Sequence, residues 1–314
     1  MKRFNQSWVH VVPGLFVFLW STGFIGARFG LPYAEPFTFL FVRFLFTLAV
    51  LFPVALITRA RWPRQWPDIG HIAVSGLLVH AAYLGGVFAA IRLGMPAGLT
   101  ALIVGVQPLL TAVVARAYLG DSVSRLQWAG LLLGFAGGTL VLGEKMLAAG
   151  TGSFSSFGLG GLLFALAALL GISFGTLYQK QFCADMDLRT GAIIQYLAST
   201  VAMGLIAVTT ETMEIQWTAE FIFALVWLVV MLSLGAISLL TLLIRRGAAS
   251  EVASLFYLVP PATAAEAFLL FGERLGLMAL VGMVLAALGV AMAVGRLDEA
   301  VFRRLMRRSM VPRP

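Results

Sequence analysis

The chain has 314 residues, of which 60% are hydrophobic and only 11% are charged, and its mean hydropathy is +0.95. Soluble domains carry about 25% charged residues, so the composition excludes an ordinary soluble enzyme or binding module. The net charge is +8, but the basic residues are scattered over several loops and not gathered on one face. That distribution argues against a nucleic-acid partner.

Long uncharged runs predict membrane-spanning helices, because a bilayer core requires about 20 apolar residues per helix. In chain order, the predicted spans are residues 9–28, 36–57, 70–91, 95–118, 125–143, 158–180, 190–210, 220–244, 249–271 and 275–295. A stretch rich in glycine and serine, from Gly150 to Gly161, is predicted to form the loop between the fifth and sixth spans. The other loops are short and leave no room for a soluble catalytic domain.

The spans are predicted to form two copies of one five-helix unit, residues 9–143 and 158–295, because landmark residues recur 152 positions apart. The pairs are Ser21 and Ser173, Gly23 and Gly175, Arg28 and Lys180, Pro108 and Pro260, Gly120 and Gly272, Asp121 and Glu273, Gly130 and Gly282, and Gly137 and Gly289. Five is an odd number, so the second unit starts on the opposite side of the membrane. The predicted fold class is an all-α polytopic membrane protein with ten transmembrane helices as two inverted five-helix repeats, an arrangement typical of alternating-access transporters.

The basic residues also predict the orientation. With the N-terminus inside, sixteen lysines and arginines lie in cytoplasmic segments and four in external segments. This asymmetry follows the positive-inside rule and predicts that both termini are cytoplasmic. Residues 296–314 are predicted to be a basic cytoplasmic tail. It forms either a short amphipathic helix on the anionic inner leaflet or a disordered segment.

Two prolines point to the binding site. Pro108 and Pro260 fall inside the fourth and ninth spans, where each removes a backbone hydrogen bond and interrupts the helix. Breaks at equivalent points of inverted halves indicate a substrate site at the membrane midplane, although proline can also serve packing alone. Polar and aromatic residues on neighbouring spans are predicted to line the same cavity, with helix–helix contact as the alternative role. These candidates are Trp20, Ser21, His80, Tyr83, Gln107 and Tyr257.

Two charged residues, Arg43 and Glu266, lie in the outer halves of predicted spans, where a charge is costly. Together they could form an ion pair or an external gate; separately, each could extend to the nearby interface. Glu266 is also the candidate for proton coupling, because a low-dielectric environment penalises a charged carboxylate. Protons therefore join the small-molecule substrate and the lipid bilayer as candidate partners.

Short motifs mark both halves, and the last two motifs of the first half have counterparts in the second. They are Phe18-Leu19-Trp20-Ser21, Phe41-Val42-Arg43-Phe44, Gln107-Pro108-Leu109, Leu119-Gly120-Asp121, Val259-Pro260-Pro261 and Phe271-Gly272-Glu273. In these motifs, over about residues 13–295, the chain resembles the EamA family of the drug/metabolite transporter superfamily. The resemblance implies a polytopic carrier of small metabolites in the bacterial inner membrane, often an exporter, with a central cavity between the repeats. One departure is that Gln195 stands at the position equivalent to Arg43.

The predicted function is therefore a secondary transporter that exports a small metabolite, such as an amino acid, by alternating access. The alternative is an uncoupled facilitator or channel. No Gly-x-x-x-x-Gly-Lys-Ser/Thr loop is present, so ATP is not predicted to be the direct energy source. An enzyme is not predicted, since the three histidines are widely spaced and the acids are not paired. The single cysteine, Cys183, excludes an internal disulfide and a multi-cysteine metal site. No cofactor and no metal are predicted.

Overall fold

A computed structural model describes residues 6–95, 100, 103–119, 123–148, 158–246, 249–271 and 276–293. Within these ranges the regular structure is helical, apart from an isolated antiparallel bridge between Ala34 and Ile215. Several features singled out in the sequence lie outside the described residues: the basic tail at 296–314, the side chain of Arg28, and Gly120, Asp121, Gly272 and Glu273.

The helices of the first half include three long ones and three shorter ones. They are α1 (Gln6–Gly30), α2 (Pro36–Ile57), α3 (Trp66–Gly76), α4 (Tyr83–Arg92), α5 (Gln107–Val114) and α6 (Arg125–Ala148). A π-helical segment, Leu77–Ala82, joins α3 to α4 without a break. A second π-helical segment, Ala115–Leu119, continues α5.

The described part of the second half contains seven α-helices. Its helices are α7 (Gly158–Phe182), α8 (Leu188–Thr210), α9 (Ala219–Trp227), α10 (Ile237–Arg246), α11 (Ala249–Ser254), α12 (Val259–Phe271) and α13 (Leu277–Ala293). A π-helical segment, Leu228–Ala236, joins α9 to α10. A 3₁₀ segment, Leu255–Leu258, joins α11 to α12.

Five of the described helices are long and apolar enough to cross a membrane: Pro36–Ile57, Trp66–Arg92, Gly158–Phe182, Leu188–Thr210 and Ala219–Arg245. Shorter apolar helices cover Val11–Gly23, Val252–Thr263 and Leu277–Ala293. Large apolar side chains face outward, and Leu159, Leu205 and Val208 are 71%, 65% and 68% exposed. This is the surface expected of helices in lipid. The architecture is that of a helical membrane protein, while the total of ten spans and the inverted repeat remain predictions.

The two prolines begin helices instead of lying inside them, which corrects the prediction. Pro108 is the second residue of α5 and follows a turn at residues 105–106. Pro260 is the second residue of α12 and follows the 3₁₀ segment. The first turn of a helix accepts proline because its backbone N–H groups have no partner within the helix. The α-helix is thus interrupted just before each proline.

Helices α6 and α13 contact each other through glycines, and we call this contact the glycine seam. A Cβ atom on Gly130 would lie 2.6 Å from the carbonyl oxygen of Gly289, and one on Gly137 would lie 2.6 Å from that of Gly282. Only glycine permits so close an approach of two backbones. The repeat offset equates Gly130 with Gly282 and Gly137 with Gly289, so the contacts are exchanged between equivalent positions. A two-fold axis between two helices produces such exchanged contacts.

Candidate substrate site

Two π-helical segments position the central polar residues. Leu77–Ala82 carries His80 and packs against α7 and α8, whereas Leu228–Ala236 carries Ser233 and packs against α1 and α2. A π-turn inserts an extra residue into a helical turn and is frequent at functional sites. These segments therefore direct polar side chains into the interior at points where regular helices would continue.

Arg43 of α2 is buried between these elements, with 3% of its surface exposed. Its Nε donates a hydrogen bond of 3.0 Å to the Ser233 hydroxyl, and the Tyr196 hydroxyl donates one of 3.2 Å to the Ser233 carbonyl oxygen. The Arg43 charge is close enough to act on His80, Tyr83 and Tyr196. No carboxylate of the described residues forms an ion pair with it.

His80 lies beside this cluster and is fully buried. Its ring stacks on Tyr196 with centroids 4.3 Å apart, and its edge contacts Phe44 at 6.1 Å between centroids. The Gln195 amide is nearby, but neither ring nitrogen makes a hydrogen bond of standard geometry to a described group. Unpartnered polar atoms in an interior are costly, so these nitrogens are available to a ligand or to water.

Aromatic rings form a wall next to the polar cluster of Arg43, Tyr196 and Ser233. We define this aromatic wall as Phe16, Trp20, Tyr83 and Phe256. Trp20 stacks on Tyr83 with centroids 6.2 Å apart, and Phe256 meets Trp20 edge-on at 5.1 Å. Tyr83 connects the wall to the cluster through its proximity to Arg43. A wall of this type can stack against the apolar part of a small solute.

A small cleft adjoins Phe256 of the aromatic wall. Its other lining residues are mostly apolar: Leu240, Ile244, Val252 and Ala253, together with Gln107 and Thr176. The cleft has room for about one water molecule. The Gln107 side chain is buried, and neither its amide nitrogen nor its oxygen has a described hydrogen-bond partner. The cleft therefore combines a mainly apolar lining with the unpartnered side-chain amide of Gln107.

Ser21 and Glu266 form a separate contact between α1 and α12. The Ser21 hydroxyl donates a hydrogen bond of 2.5 Å to Oε1 of Glu266, whereas Oε2 of Glu266 is buried without a described partner. The ion pair considered between Arg43 and Glu266 is absent from the described structure. The reason is topological: α2 packs against the segment Leu228–Ala236, while α12 packs against α1.

Tyr257 and Pro260 occupy a different environment from the other candidates, because both lie against α6. A Cβ atom on Gly134 would lie 2.5 Å from Cδ2 of Tyr257, and one on Gly138 would lie 4.0 Å from Cγ of Pro260. The Tyr257 hydroxyl is buried without a described partner. The structure therefore brings Trp20, Tyr83, His80 and Arg43 together and places Gln107, which precedes Pro108 in α5, in the lining of the cleft. It leaves Tyr257 and Pro260 beside the seam.

A buried network of side-chain amides was not predicted from the sequence. The Gln195 side chain donates to the Ser75 hydroxyl at 2.8 Å and to Oε1 of Gln179 at 3.3 Å, and Nε2 of Gln179 donates to the Thr241 hydroxyl at 3.2 Å. Tyr196 and Ser233 were missed as well. The available signal was the repeat offset, because Gln195 and Tyr196 are the equivalents of Arg43 and Phe44. Among the described residues no cluster of His, Cys, Asp or Glu has the composition of a metal site.

The carboxylates of Glu35 and Glu211 join α2 to α8 at one end of this helix pair, which we call the acidic end. Glu211 accepts hydrogen bonds from the N–H groups of Phe37 (2.8 Å) and Thr38 (2.6 Å) and so caps α2. Glu35 accepts from the N–H (2.6 Å) and the hydroxyl (2.8 Å) of Thr212. These two hydrogen bonds from Thr212 lower the pKa of Glu35.

The opposite end of this helix pair, the basic end, is joined by a different set of contacts. Asp187 caps α8 by accepting from the N–H of Arg189 at 2.9 Å, and it forms an ion pair with the guanidinium of Arg189 at 2.8 Å. The hydrogen bonds from Arg189 lower the pKa of Asp187 to about 2. The Thr190 hydroxyl donates to the carbonyl oxygen of Arg61 at 2.7 Å.

Comparison with known proteins gives a family and a fold. The model of the EamA-like transporter family matches residues 13–143 and again residues 159–295. A solved crystal structure of 21% identity matches 98% of this chain and 100% of its own chain with a TM-score of 0.76, which supports the fold alone.

Two relatives are similar over most of their length. The uncharacterized transporter YvbV of Bacillus subtilis is 30% identical over 297 residues, which cover 93% of both chains. A probable amino-acid metabolite efflux pump of Salmonella typhimurium is 27% identical over 288 residues, which cover 88% of this chain and 91% of that protein.

Proposed function

Because the chain belongs to the EamA-like transporter family, we propose that this membrane transporter is a secondary exporter of a small metabolite, such as an amino acid, and works by alternating access. The observation that carries the proposal is the buried site beside the aromatic wall, in which Arg43 brings a charge and His80 and Gln107 keep polar atoms without described partners. Relatives named as probable amino-acid metabolite efflux pumps support the direction and the substrate class.

Alternating access rests on the proposed inverted repeat, residues 9–143 and 158–295. Exchanged helix contacts support it. Helix α1 packs against Leu228–Ala236 and α12, and its proposed equivalent α7 packs against Leu77–Ala82 and α5, which are the repeat counterparts of those two. The exchanged glycine contacts of α6 and α13 follow the same rule. Two similar units that can rock against each other around a fixed site would expose it to one side at a time.

The proposed orientation has both termini in the cytoplasm, so the acidic end faces outward and the basic end inward. It is tested by reporter fusions after Pro314 and within the loop from Glu211 to Glu220. The two fusions should report opposite sides of the membrane. Reports from the same side would contradict both the orientation and the inverted repeat.

The transport mode is tested with purified protein in liposomes. Vesicles preloaded with a mixture of unlabelled L-amino acids should accumulate the same labelled amino acids by counterflow, and the initial rate should saturate with concentration. A carrier shows both properties, because its site is exposed to one side at a time. Uptake without saturation or counterflow would favour the second candidate function, a channel.

A further inference from the structure

Arg43 is a buried cation for which the described protein provides no anion. Arg43 and Glu266 are the charged residues among the buried side chains of the described ranges, and Glu266 is bound to Ser21 on a different helix pair. An arginine cannot escape the cost of burial by losing its proton, because it stays protonated in proteins. An uncompensated charge within a membrane span is expensive and usually functional.

The surroundings of Arg43 orient its guanidinium as a receptor. The bond from Nε to Ser233 fixes one edge of the planar group, and Tyr196 holds Ser233 from the other side. The two terminal nitrogens have no described acceptor. A guanidinium presented in this way matches the two oxygens of a carboxylate through parallel hydrogen bonds.

We propose that the transported metabolite carries a carboxylate and that Arg43 binds it, an inference that rests on the proposed transport function. The aromatic wall beside Arg43 then receives the apolar part of the same molecule. One cation balances one negative charge, so the site favours a monocarboxylate over a phosphate ester, which carries a charge near −2 at neutral pH.

The proposed repeat assigns only one such receptor to each molecule. Gln195 occupies the position equivalent to Arg43, and its amide is engaged by Ser75 and Gln179. The substitution Arg43→Gln therefore introduces the residue that the other half already carries at this depth. It removes the charge while keeping a polar side chain that can hydrogen bond to Ser233.

The test compares cells that overproduce the wild-type protein, Arg43→Gln, Arg43→Lys or Arg116→Gln. Arg116 is the matched control because it is an exposed arginine in the segment Ala115–Leu119. Untargeted analysis of the medium should show that the metabolites enriched by the wild type carry a carboxylate. Arg43→Gln should reduce their initial rate of export by roughly 10- to 100-fold, the effect of losing hydrogen bonds to a charged group. Arg116→Gln should match the wild type.

A second measurement uses the wild-type protein alone, so it does not depend on how the variants fold. In liposomes, each enriched metabolite should compete with its own labelled form, whereas the corresponding amide, which lacks the negative charge, should not.

Arg43→Lys keeps the charge without the planar fork and should raise the half-saturation concentration more than it lowers the maximal rate.

Four results would overturn the inference. Equal competition by the acid and the amide would do so, as would unchanged export by Arg43→Gln at equal abundance in the membrane. Enrichment of metabolites that lack a carboxylate would overturn it while leaving the export function intact. No enrichment by the wild type would overturn the export function itself, and the inference with it.

Discussion

The glycine seam and the polar interior are built on opposite principles. At the seam, α6 and α13 approach so closely that backbone contacts backbone, and a Cβ atom on Gly289 would lie 2.3 Å from the amide nitrogen of Gly134. In the interior, π-turns and a 3₁₀ turn replace regular α-helical turns, and the side chains of His80 and Gln107 keep buried polar atoms without described partners. The glycine seam therefore stabilises the fold, whereas the polar interior contains groups that lower stability and are suited to binding.

The physical difference lies in what each region can tolerate. Close packing of small residues stabilises a helix pair in lipid through dispersion, and each contact at the seam is already made. Unpartnered polar groups destabilise the interior until a solute or water binds them. Substitutions at the seam should therefore reduce stability, whereas substitutions in the interior should alter transport in a protein that still folds.

The largest expected effect is at the seam. Gly137→Ala places a Cβ atom 2.4 Å from the amide nitrogen of Ala286, a backbone atom that cannot move aside. We expect a loss of about 1–3 kcal/mol or more, as for other overpacked cores. The measurements are the monodisperse fraction after detergent extraction and the thermal midpoint.

The matched control is Gly143→Ala on the same helix, where an added Cβ atom meets nothing within 4 Å. It should leave the midpoint unchanged or raise it slightly, because alanine favours the helix over glycine. Equal behaviour of the two variants would show that the seam is not the stabilising contact.

In the interior, Glu266→Gln should change coupling without unfolding the protein. Glutamine mimics the protonated acid and can still accept the hydrogen bond from Ser21. No ion pair between Arg43 and Glu266 is present among the described residues, so an ion-pair gate has no support there, and we predict that Glu266 carries the proton. We expect flux driven by a pH gradient to vanish while substrate counterflow in liposomes survives.

Glu220→Gln, an acid in the first turn of α9, serves as the control for this experiment. It should leave both fluxes intact. If Glu266→Gln abolishes counterflow together with the pH-driven flux, Glu266 acts in gating or binding instead. Unchanged pH-driven flux would exclude a coupling role.

The sequence predicted the helices better than their irregularities. The predicted span 36–57 coincides with α2, because a proline at the start and a turn after Ile57 mark both ends. The span predicted at 70–91 begins earlier, at Trp66, where Pro67 and Asp68 suit the first turn of a helix. The π-turn at Leu77–Ala82 left no signal, since it depends on the packing of α7 and α8 against it.

The site was predictable only in part, for a related reason. Arg43 and Glu266 could each be identified from the sequence, because the free-energy cost of a charge in a membrane span depends on the apolar residues around it. Whether they meet depends on which helices are neighbours, and a chain of similar apolar helices does not encode that locally. Tyr196 and Ser233 were missed because their contact is made between distant helices. Tyr257 was assigned to the cavity from a helical stripe, but it is its neighbour Phe256 that belongs to the aromatic wall, while Tyr257 lies against Gly134 of α6.

A smaller effect is expected at the acidic end, where Glu211 caps α2. Glu211→Ala removes acceptors for the N–H groups of Phe37 and Thr38, and loss of such a cap costs about 1 kcal/mol. Glu214→Ala, an exposed acid of the same loop, is the control and should have no effect on the thermal midpoint. Equal midpoints for the two variants would mean that the cap contributes nothing to stability.

The smallest expected effect is at the basic end, where charge and cap can be separated. Asp187→Asn keeps an oxygen that can cap α8 but removes the charge, whereas Asp187→Ala removes both. The pKa of Asp187 is lowered from 3.8 to about 2, so folding favours its ionised form. Its charge therefore contributes stability above about pH 4, and this contribution is lost as the pH falls through about 2.

We expect Asp187→Asn to cost less than about 1 kcal/mol near neutral pH, because solvent screens this partly exposed ion pair. The difference in thermal midpoint from the wild type should shrink between pH 4 and pH 2 and in high salt. Asp187→Ala should retain a further difference of about 1 kcal/mol under both conditions, since the lost cap does not depend on charge. If the two variants converge with the wild type in high salt, the contact at the basic end is electrostatic alone. If neither responds to salt, capping is the whole contribution, and the basic end then resembles the glycine seam, where stability comes from contacts that pH and salt do not change.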